Sequence, residues 1–293
     1  MFFRLRNDEG CFSVENTVKI NSNISSLNTQ RTLDKTDKNT ATTMQHLSSG
    51  RQINSAKDDA AGMAIALQFA AQIVGSQQAT RNTNDGISML QTAEGGLEQA
   101  TDDLQRMREL AVQSANVTNS PNDRQALQAE YSQLQSGVSQ NIENTDFNGV
   151  KVLSDSQSLE FQTGPNADPA TNRTVVSINN ILADSDMKVA VQTSDISSQG
   201  LSSSAISQID AALDKVTAER SRIGASLNKM ESTVNNLGSS IESQSAARSR
   251  IEDADYAKET SNLARDLILK EASIAVLGHS KVNSNLVLGL LNK

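Results

Sequence analysis

Between positions 206 and 244 the chain sets Ile206, Ile209, Leu213, Val216, Arg220, Ile223, Leu227, Met230, Val234, Leu237, Ile241 and Gln244 at alternating steps of three and four, and ten of the twelve are apolar. An apolar repeat of this period, held for more than five heptads, predicts one long helix in coiled-coil contact. From 206 to 251 it would run about 69 Å at 1.5 Å per residue. A second stripe, Leu90, Ala93, Leu97, Ala100, Leu104, Met107 and Ala111, steps the same way and alternates large with small side chains, so a partner helix can approach closely. The predicted bundle seam therefore joins Leu90, Leu97 and Leu104 to Ile209, Leu213, Val216, Ile223, Leu227, Met230, Val234, Leu237 and Ile241.

Around these stripes lie weaker signals. In "NVTNSPND", Ser120 is a candidate N-cap, with Pro121 at the first helical position and Asp123 three residues past the cap, predicting a helix from about 121 to 141. "NSAKDDAAG" offers Ser55 and Asp58 as a capping box for a helix reaching about Ala79. Upstream, Leu33, Thr40, Met44 and Leu47 mark an amphipathic helix ending near Ser48-Ser49-Gly50; downstream, Leu263, Leu267, Ile274 and Leu277 form a comparable stripe. That stripe runs into "SNLVLGLLNK", where Leu286, Val287, Leu288, Leu290 and Leu291 need a partner, because contiguous exposed apolar surface finds one. Between the helical halves, Asn148-Gly149 in "DFNGVKVL" supplies the positive φ angles of a type I′ hairpin turn, and "LEFQTGPNADPATNRTVVSINNI" reads as a second strand pair. The predicted fold class is mainly α: a long antiparallel helical bundle or coiled coil, a small β-hairpin insertion, and paired N- and C-terminal helices.

Composition narrows the chemistry. The 293 residues contain no Trp, two Tyr, six Phe and three Pro, which suits long helices better than an aromatic-centred globule. A net charge of -8 is the wrong sign for nucleic-acid binding, and no stretch of about 18 apolar residues offers a membrane insertion. Cys11 is the single cysteine, so no intramolecular disulfide is expected. His46 and His279 are the two histidines, too few for a zinc site or a Ser/His/Asp constellation in such surroundings, so no catalytic, cofactor or metal site is expected. Gly95-Gly96 lacks any phosphate-loop pattern and reads as close packing or a local helix irregularity.

The stretches "INSNISSLNTQRTL", "LSSGRQINSAKDDAAGMAIA", "RNTNDGISMLQTAEGGL", "LQRMRELAVQSAN", "FNGVKVL", "SRIEDADYAKETSNLARDLIL" and the closing "NLVLGLL" resemble bacterial flagellin over nearly all of residues 18 to 293. The resemblance implies a structural, non-enzymatic subunit of the flagellar filament, secreted outside the cell and exported unfolded by the flagellar type III apparatus. Its terminal helices would line a central channel, with Leu27, Leu33, Met44, Leu47, Leu263, Leu267, Ile274, Leu277, Leu286, Leu288, Leu290 and Leu291 as inner-core assembly residues, disordered in the monomer and folding on assembly. It implies as partners further copies of the chain in a helical homopolymer, an export chaperone holding the C-terminal helix, and hook-associated and cap proteins. It also implies a surface similar to that read by the vertebrate Toll-like flagellin receptor, with Gln105, Arg106, Leu110, Gln113 and Glu130 matching. A hook-filament junction protein is the alternative within the same class.

On this reading residues 18–56 form an N-terminal inner-core helix, 57–145 the N-terminal half of the bundle, and 146–205 a short hairpin and variable region. Residues 206–250 form the long bundle helix and 251–293 the C-terminal inner-core helix. Residues 1–17 depart from the family, in which only a few residues precede the match to "INSNISSL". They read as an atypical extension, either disordered or the product of a misassigned start.

Overall fold

The computed structural model describes residues 22 to 291, and the side chains as far as Val282. The element order is α1 (Ile24–Ser49), α2 (Ala60–Ala115), α3 (Pro121–Asn144), β1 (Asp146–Phe147), β2 (Val150–Lys151), β3 (Gln157–Gln162) and the single turn α4 (Pro169–Asn172). Then come β4 (Arg173–Ile178), a short α5 (Ser185–Lys188), α6 (Gln199–Glu252) and α7 (Tyr256–Leu291). Two compact units result: residues up to 64 together with those from 250 onward, and residues 65–249.

The larger unit is held by α2, α3 and α6. Two ion pairs, Arg108 to Asp210 at 2.6 Å and Arg220 to Glu94 at 2.8 Å, tie α2 to α6 in antiparallel order. Arg106 reaches Glu130 at 2.7 Å and the Asn141 amide donates to Asp103 at 3.0 Å, which sets α3 antiparallel to α2. Between the helices lies one apolar core, with Leu90, Leu97, Leu104 and Met107 of α2, Tyr131, Val138 and Ile142 of α3, and Ile209, Val216, Ile223 and Met230 of α6. Val152, Leu153, Ile178, Met187 and Ile196 of the intervening segment close it. The buried Tyr131 hydroxyl meets the Ser194 hydroxyl at 2.6 Å, so its polar end is satisfied inside the core.

Local chemistry explains the element ends. At the start of α3 the Ser120 hydroxyl accepts from the Asp123 N–H while the Asp123 carboxylate accepts from the Ser120 N–H, a closed capping box followed by Pro121. Arg124 is buried and donates to the carbonyls of Ser114 and Asn116, satisfying the end of α2 that its last turn leaves open. Asn148 and Gly149 have φ of 51° and 80°, and β1 and β2 pair antiparallel across them. Strands β3 and β4 pair antiparallel from Gln157 opposite Ile178 to Gln162 opposite Arg173.

Four sequence expectations change. Helix α2 does not end near Ala79: Thr80 and Thr83 donate their hydroxyls to the carbonyls of Ser76 and Ala79, so the polar stretch after Ala79 continues as helix. Its N-cap is Asp59, whose carboxylate accepts from the Ala61 and Gly62 N–H groups; Asp58 instead folds back onto Asn54 and Ser55. Helix α6 starts at Gln199 rather than 206, and its buried face includes Ala205, Ala212 and Glu219. Val234 and Ile241, expected in the seam, are half-buried outside the apolar core, whereas Leu213 and Leu227 pack on its margin. The Gly95-Gly96 pair leaves the helix unbroken, and a Cβ on Gly96 would stand 2.4 Å from the Thr145 hydroxyl and 3.0 Å from Leu153. That glycine is there for close packing.

In the smaller unit α1 and α7 run antiparallel. Asn23 caps α1 by accepting from the Ser26 N–H, and Gly50, at φ 71°, ends it by donating to the His46 carbonyl. Beyond Gly50 the backbone bridges to the junction between α6 and α7: the Gln52 N–H donates to the Glu252 carbonyl at 2.8 Å and the Ala254 N–H to the Gly50 carbonyl at 2.9 Å. Both terminal segments, expected to be disordered in the monomer, are helical here.

Candidate assembly surface

The face that α1 turns toward α7 is mostly polar. Thr36 and Thr43 are 5% and 7% exposed, and Thr29, Leu33, Thr40 and Leu47 lie half-buried in the same three-four spacing. From α7 the half-buried positions are Glu259, Asn262, Asp266, Lys270, Ser273, Leu277 and Ser280, joined by Leu263. The hydroxyls of Thr29, Thr36 and Thr40 are satisfied within α1, donating to Ser25, Thr32 and Thr36, so these small side chains line the pairing at no cost in unmade hydrogen bonds.

The large aliphatic residues point elsewhere. Leu27, Met44, Leu267 and Ile274, all expected as assembly residues, are roughly half exposed. Ile24, Leu269, Val276 and Val282 are comparably open, and Ile268 is 67% exposed. The sequence stripes did not single these out; the signal was the run "LILKEASIAVL", which is apolar around more than one face of a helix. Leu286, Leu288, Leu290 and Leu291 continue the backbone of α7, but their side chains lie outside the described residues, as do Cys11 and the 1–17 segment. Exposed aliphatic side chains on both members of a polar-seamed helix pair make a surface suited to association.

A second, polar surface lies on α2 and α3. Gln105, Arg106, Gln113 and Glu130 are exposed, and a shallow depression is lined by Gln105, Arg108, Glu109, Val112 and Gln113. Leu110 is not part of it: at 1% exposure it faces the core, one turn on from Met107, and is corrected from surface to interior. The Arg106 guanidinium is held even more firmly protonated than usual by its hydrogen bond to Glu130 and then by Glu109, and Arg108 likewise by Asp210. Among the described residues no cluster of His, Cys, Asp and Glu could hold a metal ion, and no helix is long and apolar enough to cross a membrane.

These features define a helical structural protein with an apolar surface carried by its two terminal helices. The chain belongs to the bacterial flagellin family: the family profile for the bacterial flagellin N-terminal helical region matches residues 20–158, and that for the C-terminal helical region matches residues 206–291. It is 40% identical over 273 residues to the flagellin of Halalkalibacterium halodurans, spanning 93% of this chain and 99% of the relative. To the flagellin of Serratia marcescens it is 37% identical over 349 aligned residues, with the same coverage of 93% and 99%. The crystal structure of Bacillus cereus flagellin overlays on 54% of this chain and 88% of its own, with 27% identity and a TM-score of 0.47. The protein is thus a structural subunit of the extracellular flagellar filament, and not an enzyme.

Proposed function

We propose that the exposed aliphatic residues of α1 and α7 are the surface by which copies of this chain pack against one another, and that the tail from Leu286 onward extends it. The observation that supports this is the inversion within the smaller unit: polar residues such as Thr36, Thr43 and Ser273 face the intramolecular partner while Ile268, Ile274 and Leu267 face away. Burial of that area at about 25 cal/mol per Å² drives polymerisation. A head-to-tail contact of this kind does not close on itself, and so propagates as a helix.

The same aliphatic surface on α7 suits an export chaperone before assembly, and passage through the flagellar type III apparatus keeps the pair apart until it is outside. Hook-associated and cap proteins meet the ends of the polymer. The exposed residues Gln105, Arg106, Gln113 and Glu130 form the surface matching that read by the Toll-like flagellin receptor.

Electron microscopy of purified protein with short filament seeds, beside a version lacking Leu286 to Lys293, tests the proposal. Long filaments from the full chain and none from the truncated chain are expected. Equal elongation of both refutes the role of the tail, and failure of the full chain to elongate points to a junction protein between hook and filament.

A further inference from the structure

We infer that Asn23, Asp37 and Lys270 are register-determining residues: they fix the axial offset of α1 against α7, and through it which outward aliphatic side chains a second copy meets. The inference rests on the filament reading above, and starts from what the seam cannot do. Thr29, Thr36 and Thr40 are small and bonded within their own helix, to Ser25, Thr32 and Thr36. Such a surface tolerates a slip of one turn, about 5.4 Å, with little loss. Leu33 and Leu47 of α1 and Leu263 and Leu277 of α7 are the half-buried leucines on it, while Leu27, Met44, Leu267, Ile268 and Ile274 face outward.

Directional contacts supply what the seam lacks. The Asn23 amide donates to the Ser280 carbonyl at 3.0 Å while its oxygen accepts from the Ser280 hydroxyl at 3.3 Å. In the middle of the pair the Lys270 ammonium lies 2.8 Å from the Asp37 carboxylate. At the far end the Tyr256 hydroxyl donates to the Leu47 carbonyl at 2.8 Å, and His46 Nδ1 lies 3.4 Å from Glu259. All of them specify the same antiparallel offset, and a one-turn slip breaks them together. It would also carry Leu27 and Met44 of α1 a full turn away from Leu267 and Ile274 of α7, so a neighbour shaped to span both helices no longer fits. Each tie is weak alone, because Asp37 and Lys270 are both substantially exposed, but a filament repeats it in every copy.

The test uses the full chain carrying Cys11→Ser, with Thr43→Cys and Asn262→Cys as a register reporter, and adds Asp37→Lys, Lys270→Asp or both. Disulfide formation between positions 43 and 262 is followed in soluble and assembled protein, beside seeded elongation. Each single reversal is expected to lower elongation about fivefold and to reduce the reporter disulfide, and the double reversal to restore both to within about twofold. Single reversals that leave disulfide yield and elongation unchanged overturn the inference. So does lost elongation with an unchanged disulfide, which would place the pair at a contact between copies. A reporter that never forms in the parent overturns it as well. If the parent forms the disulfide but does not elongate, the filament reading fails while the disulfide yields still decide the register.

Discussion

Replacing Ile268 by serine separates assembly from folding. In the single chain the side chain is 67% exposed, so the substitution removes little that the isolated protein needs. Full burial of an isoleucine contributes about 1.5–3 kcal/mol, and two-thirds of that remains to be gained on contact with another copy, or about 1–2 kcal/mol per subunit. A change of that size raises the critical concentration for polymerisation about 5- to 30-fold. Sedimentation of seeded reactions at graded protein concentration reads it directly. Lys258→Ser, on the same helix but without apolar area to lose, should leave the critical concentration within about twofold. Thermal unfolding of the Ile268→Ser monomer should match the parent. An unchanged critical concentration would show that this face stays open to solvent in the filament and that the outward aliphatic residues are not the assembly surface.

Three further outcomes follow from the larger unit. Leu104→Ala, at a fully buried position between α2, α3 and α6, should lower unfolding free energy by about 2–5 kcal/mol in chemical denaturation. Gly96→Val places a branched side chain against Thr145 and Leu153 and should cost about 1–3 kcal/mol by overpacking, with near-parent helicity by circular dichroism below the transition. Ser120→Ala opens the capping box and should cost about 1 kcal/mol near pH 7. Asp123 is held below the ordinary carboxylate range by the Ser120 hydroxyl and then the Ser120 N–H. A depressed carboxylate contributes stability above its unfolded value and loses it as the pH falls through its folded value, so the melting-temperature gap between Ser120→Ala and parent should narrow below about pH 4.

The bundle was legible where large apolar residues carry the three-four period. Leu90, Leu97 and Leu104 against Ile209, Val216 and Ile223 could be read directly, because these positions are apolar for the reason the pattern assumes. Helix α2 runs past the expected end because Thr80 and Thr83 look polar in sequence, yet each spends its hydroxyl on its own helix. Leu110 was misplaced because family likeness supplied a role without an orientation, and the helical spacing from Met107 already turned it inward. The terminal pair divides its large apolar residues between two faces. Leu33, Leu47 and Leu277 turn toward the partner helix, whereas Leu27, Met44, Leu267 and Ile274 turn away from it. A single chain's apolar pattern cannot say whether its partner is the other end of the same chain or a second copy.

The contact between Asn23 and Ser280 joins residues 257 apart in sequence. Local helices form in microseconds and an antiparallel bundle can follow as soon as α6 is made, but this pairing must wait until Ser280 has been synthesised. Helices α1 and α7 therefore find each other later than α2 finds α6, during synthesis and again after any passage through a pore that strings the chain out. A folding order that leaves both ends open longest gives any protein that binds them an interval in which it competes with no finished structure.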